Sequence, residues 1–119
     1  MHLIIGGAWQ GKRDYAMRRF GFAAEDIHDC ASDGAPDAAA RCVDHYECYL
    51  RACADSGIKP RLGFAADSVV ICQDIFCGVV SADAQERAWR ELAGRTVTAL
   101  AARADSVTRI FCGLPVKLK

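Results

Sequence analysis

The sequence predicts an α/β protein, with a small, mainly parallel sheet flanked by helices in three layers. Three observations predict it. A short apolar run stops at paired glycines and leads at once into a helical pattern, "HLIIGGAWQGKRDYAMRRF". A second run, "SVVICQ", has the unbroken β-branched hydrophobicity of a strand covered on both faces. Helical patterns separate the apolar runs, and each parallel crossover needs such a segment to return the chain.

Taken in order, residues 2–6 read as a buried strand ending in a tight turn. From Lys12 the spacing of Tyr15, Ala16 and Phe20 predicts a helix, with Gly21 as its stop. "AEDIHDCASDG" reads as a short strand or loop at the surface. Pro36 is expected to open a second helix that closes at Gly57, proline in the first turn and glycine just past the end. Its apolar stripe would be Ala39, Cys42, Val43, Tyr46, Tyr49, Leu50 and Cys53. "IKPRLGFAAD" is a connection, "SVVICQ" a strand, and "DIFCGVVSAD" an irregular segment. A third helix follows, with Ala84, Ala88, Leu92, Val97, Leu100, Ala101 and Ala104 recurring at about one turn. "SVTRIFCG" is a further strand, and "LPVKLK" ends the chain.

Length and composition bound the function. A chain of 119 residues suits one domain over residues 1–119. Hydrophobic residues make up 52% and mean hydropathy is +0.05, which argues for a compact globule. Fifteen basic residues balance fifteen acidic ones, so nothing points to a nucleic-acid partner. No apolar run approaches the ~18 residues of a membrane span, and the N-terminus lacks a secretory pattern, so a cytoplasmic location is expected. The seven cysteines are an odd number without close pairing. Several lie in apolar runs, where a reduced thiol behaves as a small hydrophobe, so neither a disulfide framework nor zinc is favoured.

The chemistry centres on "GGAWQGKR". Gly6, Gly7, Ala8, Trp9, Gln10, Gly11, Lys12 and Arg13 have the outline of a phosphate-binding loop between strand and helix, and so predict a P-loop-type fold and a nucleotide partner. Inward-facing amides and a helix N-terminus supply positive potential, the glycines allow close approach, and Lys12 can reach the β- and γ-phosphates. Arg13 stands where such loops carry a Mg²⁺-binding hydroxyl, and a guanidinium has no acceptor atom for a metal. Either other oxygens hold the metal, or the added charge binds phosphate without it. Trp9 could stack on a base or on neighbouring structure.

These residues resemble a family. "IIGGAWQGK" is similar to the opening of the adenosylcobinamide kinase/adenosylcobinamide-phosphate guanylyltransferase family, whose loop reads GGARSGKS. The stretch from "QDIFCGVVSAD" to "GLPVKLK" matches that family's C-terminal pattern without gaps, and a shorter branch with a GGAYQGK loop fits best. The resemblance implies an enzyme of the cobalamin nucleotide-loop pathway. It would use ATP or GTP with Mg²⁺ to phosphorylate adenosylcobinamide, transfer GMP through a guanylylated histidine, and assemble as a homo-oligomer.

Position makes His45, in "VDHYECYLR", the candidate for the histidine role, ahead of His2 and His28, although the motif around the family's histidine is absent. Asp74 falls where the family has glutamate, just past an apolar strand, where it could hold Mg²⁺ or orient the attacking hydroxyl. Lys12, Asp74 and His45 are thus the candidate catalytic residues. Arg87 matches a family arginine that could contact phosphate. Val97 and Thr98 replace the family's Asn-Gln pair, Ser81 replaces a proline, and the family's middle section is not recognisable. A non-catalytic or degenerate nucleotide- or corrinoid-binding protein derived from this family is the alternative.

Overall fold

The structure, a computed structural model covering residues 1–119, is organised on a six-stranded sheet. The elements run β1 (His2–Gly6), α1 (Lys12–Phe20), β2 (Ile27–Asp29), α2 (Cys30–Asp33), β3 (Cys42–Asp44), α3 (Tyr46–Ser56), β4 (Val69–Gln73), α4 (Ala84–Arg103), β5 (Ser106–Phe111) and β6 (Leu114–Lys117). The strand order is β2-β3-β4-β1-β5-β6, with β6 alone antiparallel. The α/β class and the mainly parallel sheet flanked by helices are as the sequence predicts.

β1 lies inside the sheet between β4 and β5, with Leu3, Ile4 and Gly6 buried. Leu3 pairs with Val70 on one side and Val107 on the other, and Ile4 with Ile71 and Thr108. Successive side chains leave opposite faces of a strand. Leu3, Val43, Val70 and Val107 therefore meet Tyr46 and Leu50 of α3 and Ala93, Val97 and Leu100 of α4. Ile4, Cys42, Val69, Ile71 and Ile110 meet Ala16 of α1 on the other face. Burial of each large aliphatic side chain contributes about 1.5–3 kcal/mol, so the two layers hold the strand ends in fixed positions.

α1 forms as its spacing predicts. Gly21 ends it in the left-handed region, φ 71°, donating its N–H to the Met17 carbonyl at 2.9 Å. α4 starts where Asp83 accepts the amides of Gln85 and Glu86 at 2.8 and 3.2 Å. Its buried side includes Ala93 and Thr96 with Val97 and Leu100, whereas Ala84 and Ala88 of the expected stripe are exposed. α4 meets α3 at Trp89, whose indole N–H donates to the Glu47 carbonyl at 2.8 Å.

The expected helix from Pro36 to Gly57 is corrected in its first half. Only Tyr46–Ser56 is helical, and Cys42–Asp44 is the buried strand β3 between β2 and β4. Cys42 and Val43 are buried as predicted, but on opposite faces of a sheet, while Ala39 is exposed. Strand pairing with Val69 and Val70 outweighs the local helical spacing here. At the C-terminus Cys112 (φ 50°) and Gly113 (φ 76°) both lie in the left-handed region, which turns β5 back into β6. No helix is long and apolar enough to cross a membrane.

Candidate active site at the β1–α1 loop

The C-terminal ends of β2, β3, β4 and β1 lie on one edge of the sheet, and the predicted phosphate loop sits there. Gly6 ends β1 at φ +153°, and a Cβ on it would lie 2.5 Å from the Ile110 carbonyl oxygen. Only glycine fits both restrictions. The loop then passes through Trp9 in the left-handed region (φ 61°) and fully exposed, to Gly11 at φ +85°. Gly11 is the N-cap of α1 and offers no capping side chain, so the first-turn amides are left for an external acceptor. Lys12 folds back over the loop, its Nζ donating to the Gly7 carbonyl at 2.6 Å. The β5–β6 hairpin tip braces the far side. The Cys112 amide donates to Gln10 Oε1 at 2.6 Å, and the Gly113 amide to the Gln10 carbonyl at 3.1 Å.

A second group of residues faces this loop. His45 lies at φ 49° as the N-cap of α3, a left-handed conformation rare for a side-chain-bearing residue, and its N–H donates to Asp44 Oδ1 at 2.8 Å. Its Nδ1 is 2.9 Å from Asp29 Oδ1, and Nε2 has no partner within the chain. Arg13, on the first turn of α1, spans both carboxylates, with Nη1 3.4 Å from Asp29 and 3.6 Å from Asp44. Trp9, Gly11, Lys12, Arg13, Asp44 and His45 line one cavity of about 370 Å³.

The charges are mutually adapted. Partial burial works to raise the Asp29 carboxyl, but the Ala31 amide, the His45 ring and Arg13 together hold it below its ordinary value. Partial burial likewise works to lower His45, and is outweighed by the Asp29 hydrogen bond and the charges of Asp44, Asp29 and Glu47, so its pKa is raised. Elsewhere burial pushes the thiols of Cys30 and Cys42 up to about 12, which keeps them protonated core residues.

Asp74 lies on the other flank of the loop. Its N–H donates to the Gly6 carbonyl at 3.2 Å, and its Oδ1 lies 3.8 Å from where a Gly7 Cβ would stand. Its Oδ2 is 3.5 Å from Arg109 of β5. The donor set suits Mg²⁺ better here than at His45. Mg²⁺ takes oxygen ligands, often one carboxylate with waters and substrate phosphates, and Asp74 Oδ1 is unengaged beside the loop. The atoms of Asp29, Asp44 and His45 lie within 4.8 Å of one another, but Arg13 already supplies the cation that these carboxylates face.

Arg87 is not brought to this cavity. It is exposed on α4, donates to the Ser81 and Ala82 carbonyls at 2.9 and 2.8 Å, and lines a separate recess with Phe76 and Val80. His2 contacts Ser106 Oγ and His28 the Gly34 carbonyl, both away from the loop cavity. Sequence reasoning missed Asp29, Asp44 and Glu47. Glu47 is buried and accepts the Gln73 amide at 2.8 Å, next to Asp74. The available signal was an aspartate closing each of the short runs "IHD" and "CVD", the position where ligand-binding residues of such sheets gather.

The sheet with its glycine loop at the strand ends defines an α/β protein with a candidate anion site of the nucleotide-binding kind. The family model described as cobinamide kinase / cobinamide phosphate guanyltransferase matches residues 45–118, which is more than half of the chain, and the chain belongs to that family. His45, Asp74 and Arg87 fall inside the matched stretch, and the loop of residues 6–13 precedes it. By its description the family is enzymatic and acts on cobinamide, so the chain is tied to the assembly of cobamides. No curated protein matched the chain in a sequence comparison.

Proposed function

We propose that the chain is a nucleoside-triphosphate-dependent transferase of the cobalamin nucleotide-loop pathway, acting on adenosylcobinamide as a kinase and through His45 as a guanylyltransferase. One observation carries this reading: the uncapped start of α1, Lys12 and a histidine with an unbonded Nε2 line the same cavity. The phosphates of ATP or GTP rest on residues 6–13, with Lys12 leaving the Gly7 carbonyl to meet them. Bound Mg²⁺ would neutralise charge on the phosphates, held through Asp74. In the kinase step the cobinamide hydroxyl oxygen, oriented by Asp74, bonds to the γ-phosphorus as the bond to the nucleoside diphosphate breaks and the hydroxyl proton leaves to solvent. In the guanylyl step His45 Nε2 bonds to the α-phosphorus of GTP and pyrophosphate departs. A phosphate oxygen of the cobinamide phosphate then displaces the histidine. Arg87, engaged with the Ser81 and Ala82 carbonyls away from the loop, is given no part in these steps.

The protein is expected to work in the cytoplasm as a homo-oligomer. Phe111, Leu114 and Val116 are exposed on and beside the edge strand β6, an apolar border suited to a second copy. Sedimentation of the purified chain tests this.

One observation favours a second reading, a nucleotide- or corrinoid-binding protein without turnover. Arg13 takes the hydroxyl position and is engaged with Asp29 and Asp44. The test is purified protein with adenosylcobinamide, Mg²⁺ and ATP or GTP, followed for phosphorylated cobinamide. α-Labelled GTP is used in parallel to look for label retained on denatured protein. Product, and label lost in His45→Asn, support the transferase. Tight nucleotide binding with neither supports the second reading.

A further inference from the structure

His45 is held in a way that its role as a helix cap does not require. Its side chain makes no cap hydrogen bond to α3, and the Asp44 side chain already secures the His45 amide. The ring is separately fixed by Asp29, which comes from the end of a different strand, β2. We propose that Asp29 is the positioning residue of His45, holding the proton on Nδ1 so that Nε2 keeps its lone pair open to the phosphate-loop cavity.

The geometry supports this in three ways. The Nδ1–Asp29 separation of 2.9 Å is a full hydrogen bond, whereas Asp44 Oδ2 is 3.9 Å away, too far for one. Asp29 is itself immobilised, because the same Oδ1 accepts the Ala31 amide at 3.0 Å as the cap of α2. The left-handed φ of His45 sets the direction in which its side chain leaves the backbone, and that direction brings the ring to Asp29. A carboxylate beside one ring nitrogen selects which nitrogen is protonated and orients the other. The charged groups facing this ring or lining its cavity are Asp29 from β2, Asp44 from β3, Glu47 from α3, and Lys12, Arg13 and Asp14 from α1.

Arg13 belongs to the same arrangement. Its guanidinium pairs with the carboxylate that holds His45 and also forms part of the cavity wall. An anion drawing Arg13 away would leave Asp29 more fully available to His45.

The inference deepens the guanylyl-transfer reading and rests on it for its catalytic meaning, but its decisive measurement needs no turnover. Long-range nitrogen–proton NMR of the full chain, labelled at histidine, reports tautomer and pKa for each ring. In wild type above the His45 pKa, the expected form carries the proton on Nδ1. Asp29→Asn retains the α2 cap and an acceptor for Nδ1, so the tautomer persists while the pKa falls. Asp29→Ala loses both, and the ring reverts to the Nε2-protonated form that free imidazole prefers. Labelling from α-labelled GTP should fall at least tenfold in Asp29→Ala.

An Nε2-protonated His45 in wild type, or a pKa and tautomer that do not change among the three proteins, overturns the proposal. Should Asp29→Ala fail to fold, Asp29→Asn decides it by its pKa. The two readings separate cleanly. Expected NMR behaviour without any GTP labelling of wild type removes the transfer reading and leaves the positioning intact. GTP labelling that is lost in His45→Asn but unchanged in Asp29→Ala does the reverse.

Discussion

Gly6 offers the sharpest test of how the loop is built. Replacing it with alanine meets two independent obstacles. Its φ of +153° is a conformation that side-chain-bearing residues rarely adopt, at about 1–3 kcal/mol. The new Cβ would also sit 2.5 Å from the Ile110 carbonyl oxygen, a backbone atom in a central strand that cannot rotate aside. Relieving that overlap costs about 1–3 kcal/mol more. Gly6→Ala should therefore lose about 2–6 kcal/mol of stability. For 119 residues each kcal/mol corresponds to about 4 °C, so Tm should fall by about 8–24 °C. Urea unfolding followed by circular dichroism measures this. Gly7→Ala is the internal control, since its Cβ would meet nothing nearer than Gln10 Cγ at 3.5 Å. It should stay within about 0.5 kcal/mol of wild type. A Gly6→Ala protein as stable as the Gly7→Ala protein would refute the claim that β1 ends against β5 in this way.

Three other perturbations have equally definite outcomes. Lys12→Met should weaken GTP or ATP binding in calorimetry at least tenfold, about 1.4 kcal/mol, and leave the urea midpoint nearly unchanged; equal affinity would remove Lys12 from the site. Asp83→Ala deletes the cap of α4 and should cost about 1 kcal/mol, seen as a lower urea midpoint without loss of the native spectrum. For pH, His45 is raised above 6.5 in the folded protein, so its contribution is fully present below 6.5 and disappears as pH rises through the folded value. Asp29 is lowered from 3.8, so its contribution is present above 3.8 and is lost as pH falls through its folded value. The stability gap between wild type and His45→Asn, which tolerates the left-handed backbone, should be wider at about pH 5.5 than at about pH 8.5. A gap that widens toward alkaline pH contradicts the assigned partners.

The match between sequence and structure divides by the range of the interactions. β1, α1, β4, α4 and β5 were legible because each carries its own signal within a few residues: an apolar run, a helical stripe or a terminating glycine. The loop was legible for the same reason, its glycines and lysine being contiguous. β2 and β3 were not. Three residues apiece carry too little pattern, and the spacing around Cys42 and Val43 imitates a helix until Val69 and Val70 are available to pair with them. β6 escaped notice because its Leu114 and Val116 are exposed and show no buried alternation.

The sequence by itself determined the α/β class, the first buried strand and the glycine loop with Lys12 at its end, because these depend on backbone preferences of adjacent residues. It also marked His45 and Asp74 as residues worth watching, without saying what either would meet. Only the tertiary structure decided that Arg13 reaches Asp29 and Asp44, that Asp29 holds His45, and that Arg87 lies elsewhere. Those contacts join segments far apart in the chain. They exist because pairing of β2 with β3 and of β3 with β4 draws the strand ends to one edge beside α1.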